Sequence, residues 1–380
     1  MTERATSPDS RPRIVLLGGG GFIGVHLAEG LLRSNRWHVT VADIDRTKLD
    51  FLLAGRDCTF VPCDIRTDDA RAEELVRHAD VVVDLIAYAN PAVYLSHPLE
   101  VVQLNFFDNL KIVGWCLKHR RRLVQFSTCE VYGKTGGRAT TFREDASDCV
   151  LGPVCNHRWI YACSKQLLER ILHAHGLKGE LEYTIIRPFN FVGPLIDYLI
   201  DNPTDGNPRV FSHFMSALLH DWPMRLVDGG HARRSYTYIA DAVEALLLIL
   251  EHRDAARNQI LNVGSPHNET TIRDFARRMR EIYAELTGKP CTTPVVDVSG
   301  REFYGEGYED CDRRIPDVSK LTALGWTPKH DLDATLRLTM QFHIDHHEHL
   351  RQKTPAYRLL VGDGERPVVD GVLKAAGRNG

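Results

Sequence analysis

The stretch that decides the fold is RIVLLGGGGFIGVHLAEGLLR, residues 13–33. RIVLL (13–17) is a short apolar run that suits a buried strand. A run of glycines follows, and FIGVHLAEGLLR (22–33) then places its apolar residues at helical spacing. Gly18, Gly21 and Gly24 form G-x-x-G-x-x-G at the passage from strand to helix. In that setting the first glycine allows a tight turn, the second lets a pyrophosphate approach the backbone, and the third packs helix against strand. The phosphates would sit on the N–H groups of the helix start, where Phe22 and Ile23 lie.

Working outward, HVTVA (38–42), DVVVDL (80–85), RLVQFS (122–127) and YTIIR (183–187) read as further buried strands. Helical patterns such as 103–119 separate them, so the fold class is α/β, a Rossmann-type doubly wound parallel sheet. Asp43 closes the second strand about twenty residues after the glycines, where a carboxylate meets adenosine hydroxyls and repels a 2′-phosphate. NAD is therefore expected over NADP. Asp64 and Ile65, after the third strand, Leu85 and Ala87, after the fourth, and Tyr161 and Lys165, further on, complete the residues expected along the cofactor.

Past residue 190 the pattern becomes irregular, with helical segments at 240–251 and 271–286 among shorter strands. The expected division is a lead-in over 1–12, an NAD-binding domain over 13–190, a smaller substrate lobe over 191–350 and an extension over 351–380. Segments of the lobe are expected to return to the sheet.

Lys and Arg total 47 against 50 Asp and Glu, a balance that argues against nucleic acid or an anionic membrane as main partner. No stretch approaches the ~18 apolar residues of a membrane span. MTERATSPDSRPR, at the start, lacks an apolar core and a cleavage site and reads as a disordered lead-in, not a signal peptide. Nine cysteines, an odd number without an export signal, fit a reducing, cytoplasmic setting. None is spaced C-x-x-C, and no metal site is expected. His343, His346, His347 and His349 read as the polar face of a terminal helix.

Tyr161 and Lys165 stand at i, i+4 and share a helix face. An ammonium beside a phenol lowers the phenol's pKa, which makes tyrosine a usable base near neutral pH. Thr128, at the end of RLVQFST, is the natural hydroxyl partner of the reacting oxygen. Glu130 beside Cys129 is an acid where a purely structural strand end rarely keeps one.

These strings, with RPFN (187–190), resemble the extended short-chain dehydrogenase/reductase superfamily in its nucleotide-sugar branch. STCEVYGKT (127–135), RWIYACSKQLLER (158–170), LVDGG (226–230) and REFYGEGYEDCDRRIPD (301–317) look like the UDP-apiose/UDP-xylose synthases. They are also similar to the decarboxylase half of the bacterial polymyxin-resistance enzyme that makes UDP-4-keto-arabinose. The resemblance runs from about residue 13 to about residue 345.

It implies an NAD-dependent enzyme that oxidises UDP-glucuronate at the 4-hydroxyl, decarboxylates the β-keto acid and yields UDP-apiose, UDP-xylose or both; the alternative is UDP-xylose or the released UDP-4-keto-pentose without ring contraction. By the same resemblance Glu130 and Arg314 serve decarboxylation, the arginine as proton donor or carboxylate anchor. Arg158, Asn190, Arg225, Arg234 and Tyr308 match positions that contact nucleotide or sugar, with Arg234 facing the diphosphate. Plant-type apiose synthases carry two cysteines by the sugar; one matches Cys129, and the other falls at Ala89. The equivalents of helices 103–119 and 161–176 pair across a two-fold axis, so a homodimer is expected. A UDP-hexose 4-epimerase shares the Thr128, Tyr161 and Lys165 set but has no need of Glu130 or Arg314. A silent NAD-binding regulator would typically lack the tyrosine or the lysine.

Overall fold

The structure, a computed structural model, describes residues 11–56, 58–135, 141–203 and 208–350. Most of the lead-in and all of the extension lie outside those residues. Seven strands form the central sheet: β1 Arg13–Leu17, β2 His38–Asp43, β3 Thr59–Pro62, β4 Val81–Asp84, β5 Arg122–Phe126, β6 Tyr183–Pro188 and β7 Gln259–Val263. Every pairing is parallel, in the order β7-β6-β5-β4-β1-β2-β3. The order reverses between β1 and β4, and in a doubly wound sheet ligands bind outside the carboxyl ends at that reversal. Gly18, Leu85 and Thr128 all follow strands that end there. β7 comes from the second half of the chain and extends the sheet beside β6.

Both faces of the sheet are covered, which explains the unbroken apolar runs of its strands. The main helices are α1 Phe22–Ser34, α2 Asn109–His119, α3 Ile160–Leu177 and α4 Ile239–Glu251. Ile14 and Leu16 pack with α1 and α4, while Val15 and Leu17 pack with α2 and α3. Each fully buried aliphatic side chain in these layers contributes roughly 1.5–3 kcal/mol.

Two elements differ from the sequence reading. The helix over 103–119 is not uniform, because Gln103–Asp108 widens into a π-helical turn before α2. Asn105 and Asn109 are fully buried there and bind the backbone that follows β4: Asn105 pairs with the Tyr88 N–H and carbonyl at 2.8 and 3.0 Å. Such turns recur at functional sites, and apolar spacing does not reveal them. The second difference is His343, which does not lie on a polar face. It is fully buried on the helix Leu332–Leu350, bonded to the Thr339 carbonyl at 2.7 Å and set edge-on to Phe211. It shares a stripe with Leu336 and Met340, the residues two turns and one turn before it, and that stripe faces inward. The side chain of His349 lies outside the described residues.

The segments after β6 build three small sheets among the described residues. In one of them Arg313–Arg314 runs parallel to Arg233–Ser235, which sets Arg314 opposite Arg234. That pairing carries the loop 301–317 onto the mouth of the main sheet.

Candidate active site

The glycine turn is a cradle built by close contact. Gly18 has φ +75°, and a Cβ there would meet the Ile86 backbone nitrogen at 2.9 Å. At Gly24 a Cβ would strike the Gly19 backbone at 2.5 Å, so glycine is required for packing alone. Gly21 is different: its Cβ would meet only the Gly18 carbonyl, at 3.4 Å. The protein makes no demand for glycine at that position. Gly21 caps α1 without a side-chain hydrogen bond, so among the described residues no side chain caps the N–H groups of its first turn. Asp43 accepts the amides of Gly20 at 2.8 Å and Asp45 at 3.1 Å, which locks it beside the turn. Asp64 is held by Arg66 at 2.7 Å; Ile65 is buried, and Leu85 and Ala87 are half-buried at the crevice.

Thr128 ends the β5 segment, and its hydroxyl bonds both the Glu130 amide, at 3.1 Å, and the Tyr161 phenol. Tyr94 stacks on the Tyr161 ring at 4.6 Å and fixes its plane. Lys165, one turn along α3, donates to Asn109 Oδ1 at 3.2 Å and to the Phe126 carbonyl at 3.1 Å. Burial raises the Tyr161 pKa, the charge of Glu130 raises it further, and the Thr128 hydroxyl opposes both. The Lys165 ammonium is directed at Asn109 Oδ1 and the Phe126 carbonyl, one turn from Tyr161. Its own pKa is lowered by burial, against Asp84 and Glu169.

Above these residues lies a buried ionic cluster. Glu130 accepts from Arg158 at 2.9 and 3.2 Å and from Arg314 at 3.3 Å. Asp310 faces Arg234 at 2.5 Å, Arg314 at 3.5 Å and Arg158 at 3.8 Å. The three arginines are 2–6% exposed, so their charges meet the two carboxylates out of water and leave the cluster one positive. Burial would raise the Glu130 pKa, but Arg158 and Arg314 outweigh it and hold the carboxyl below its usual range. Asp310 is held lower still by Arg234, Arg314 and Arg158, again against burial. The Arg314 pKa stands well above its ordinary value because Glu130 outweighs burial. Cys129 is buried beside them, and burial pushes its thiol up to about 11.

The expected nucleotide contacts divide. The Arg234 fork is filled by Asp310 and by the carbonyls of Arg233 and Cys311, both at 2.8 Å, so protein groups occupy the face expected for a diphosphate. Arg158 is likewise taken by Glu130 and lies over the Trp159 ring at 4.8 Å. Arg225 is half-buried on the strand Met224–Val227 and has no carboxylate partner among the described residues. Asn190 binds the Ser235 carbonyl at 3.0 Å, and Tyr308 stacks on Tyr304 at 4.3 Å.

Sequence reading missed Asn109, Asp310 and Glu309. An asparagine inside an apolar helix pattern was a usable signal for the first. Glu309 binds Lys134, Asn156 at 3.1 Å and Trp159 at 2.7 Å, which ties the 301–317 loop over the site. Nothing in GYEDCDRR distinguishes its three acids from solvated charges; only the strand pairing does.

Residues 14–264 match the pattern of the NAD dependent epimerase/dehydratase family. The chain belongs to this family. It is 41% identical over 366 residues to UDP-D-apiose/UDP-D-xylose synthase 2 of Arabidopsis thaliana, which spans 90% of this chain and 94% of that one. It is 42% identical over 353 residues to UDP-D-apiose/UDP-D-xylose synthase of Oryza sativa subsp. japonica, with 87% and 88% covered. Among solved structures, the PbgP3 protein from Burkholderia pseudomallei superposes with a TM-score of 0.80 at 33% identity, covering 91% of this chain and all of that one. The NAD of this family fits the site. The room at Gly21, the uncapped start of α1 and the carboxylate of Asp43 suit a pyrophosphate and an adenosine ribose. No helix among the described residues is long and apolar enough to cross a membrane.

Proposed function

We propose that the chain acts on UDP-glucuronate, oxidising its 4-hydroxyl, releasing its carboxylate as carbon dioxide, and forming UDP-apiose, UDP-xylose or both. The observation that carries this reading is Glu130, gripped by Arg158 and Arg314 beside Thr128 and Tyr161. A 4-epimerase of neutral hexoses needs the threonine and tyrosine but no such buried acid and arginines. The plant relatives, named as UDP-apiose/UDP-xylose synthases, support the same reading.

NAD, held at the Gly18–Gly24 turn and by Asp43, would supply the hydride acceptor for carbon 4 and the donor for the final reduction. Tyr161 takes the 4-hydroxyl proton, and Thr128 steadies the phenol by their hydrogen bond. The 4-ketone lies β to the carboxylate, so the bonding pair left by carbon dioxide moves to the 4-oxygen as an enolate. Arg314 anchors the carboxylate; a guanidinium whose pKa is held up by Glu130 is a poor proton donor. Glu130 orients Arg158 and Arg314 and takes part in the proton transfer at carbon 5. Arg225, Asn190 and Tyr308 contact the nucleotide. Arg234 acts from behind, by fixing Asp310.

Ring contraction breaks the bond between carbons 2 and 3 after a base takes the 2-hydroxyl proton. Ala89 offers no thiol for this, and Cys129 stays protonated at neutral pH. In the apiose branch Cys129, as a neutral hydrogen-bonding thiol, and Glu130 together therefore handle the protons, and UDP-xylose accompanies the product. We also propose a cytoplasmic homodimer: Phe107, before α2, and Leu167, on α3, are exposed apolar residues, as a helix-to-helix contact across a two-fold axis needs.

The test is incubation with UDP-glucuronate and NAD, followed by proton NMR of the products. Carbon dioxide with UDP-apiose or UDP-xylose is the expected result. Efficient interconversion of UDP-glucose and UDP-galactose, with UDP-glucuronate inert, would overturn the reading.

A further inference from the structure

Behind Tyr161 and Lys165 lies a carboxylate that the proposed reaction does not use. Asp84 ends β4, and Gln125 stands opposite it in register on β5. Both side chains are fully buried. Asp84 Oδ1 accepts the Ile86 amide at 3.0 Å, and Oδ2 accepts Gln125 Nε2 at 2.8 Å. Gln125 Nε2 also lies 3.5 Å from Asn109 Oδ1 and 3.4 Å from the Phe126 carbonyl. Lys165 Nζ donates to the same two oxygens. The amide and the ammonium thus share two acceptors, with Asp84 as the negative charge behind them. Packing alone does not call for a charge here, since a buried carboxylate costs several kcal/mol unless it is matched.

We propose that Asp84 is a positioning residue that keeps the Lys165 ammonium charged and fixed one turn from Tyr161, through the Gln125 and Asn109 amides. The inference rests on reading Tyr161 and Lys165 as the catalytic pair. Burial works against both charges: it raises the Asp84 pKa and lowers that of Lys165, and each group opposes the shift of the other. The remaining neighbours are few. Glu169, on α3, also supports Lys165, but its carboxylate is forked by Arg187 at 3.0 and 2.5 Å. Cys116, on α2, is kept a thiol by burial and by Asp84 itself, with Arg121 opposing weakly. Asp84 is therefore the carboxylate free to balance Lys165.

A partner carboxylate raises the lysine pKa, so Lys165 holds its proton to higher pH with Asp84 than without it. In Asp84→Asn the ammonium should lose its proton at a pH lower by about one to three units. The variant should fold, because Gln125 Oε1 has no hydrogen-bond partner in the wild type and an amide flip presents it to the new N–H.

Two measurements on the full chain test the proposal. With lysines carrying 13C at the ε position, the resonance assigned by its loss in Lys165→Met should titrate at lower pH in Asp84→Asn. The alkaline limb of kcat on UDP-glucuronate should move down with it, while NAD binding near neutral pH is kept. An unchanged Lys165 titration overturns the proposal whatever the substrate proves to be. A shifted titration in a chain inert towards UDP-glucuronate leaves the Asp84 role standing and overturns the substrate reading instead. In the wild type, carboxyl 13C NMR should find Asp84 ionised at neutral pH; a protonated Asp84 overturns the proposal without any variant.

Discussion

Replacing Glu130 by Gln keeps the shape of the side chain and removes its charge. In the wild type three buried guanidinium groups, those of Arg158, Arg234 and Arg314, face two carboxylates, Glu130 and Asp310. The net charge of the cluster is one positive, and the variant leaves two. Breaking a buried ion pair typically costs about 3–5 kcal/mol. Asp310 still faces Arg158 at 3.8 Å and Arg314 at 3.5 Å, which places the expected loss near the lower end, about 3 kcal/mol. In a chain of this size that loss lowers Tm by on the order of 5 °C. The fold lowers the Glu130 pKa, so its stabilisation is present above the unfolded value of about 4.3 and fades as pH falls through the folded one. The variant should therefore lose less stability than the wild type on acidification below that value. Catalysis separates into two effects. The Glu130 charge raises the Tyr161 pKa, so its removal should carry the acid limb of 4-oxidation to lower pH. Carbon dioxide release should fall by about a hundredfold or more, as for the loss of an acid–base group. Scanning calorimetry, ultraviolet absorbance of the reduced nicotinamide and trapped carbon dioxide read these effects separately. A variant that melts with the wild type and releases carbon dioxide at the wild-type rate would refute the reasoning.

Tyr161→Phe should retain NAD binding and lose about a hundred- to ten-thousand-fold in turnover, since the phenol is the base; near-normal turnover would move the base elsewhere. Gly24→Ala should abolish NAD binding or the fold, because its Cβ would meet the Gly19 backbone at 2.5 Å, and intact NAD titration calorimetry would count against the cradle. Light scattering at micromolar concentration should find a dimer, and Leu167→Arg should shift it to monomer. A wild type that stays monomeric would refute the helix pairing.

The sequence by itself determined the sheet and the turn that binds the cofactor. Strand runs, glycine spacing and the i, i+4 pair Tyr161/Lys165 involve neighbours in the chain, and their geometry follows from local backbone preference. Even Asp43 could be placed, because it closes the strand beside the glycine turn and accepts the Gly20 amide. Tertiary structure alone decided which charges meet. Glu130, Arg158, Arg234, Asp310 and Arg314 come from segments up to 184 positions apart, joined when Arg313–Arg314 pairs with Arg233–Ser235. Glu130 and the arginines could be singled out one by one, but their meeting, and the part of Asp310 in it, appears only when that pairing takes them out of water. The same holds for Asp84, which looks like one more residue of an apolar strand. Its register with Gln125 and the π-turn that presents Asn109 set it behind Lys165. Charges act over distance in space, whereas sequence patterns record only neighbours along the chain.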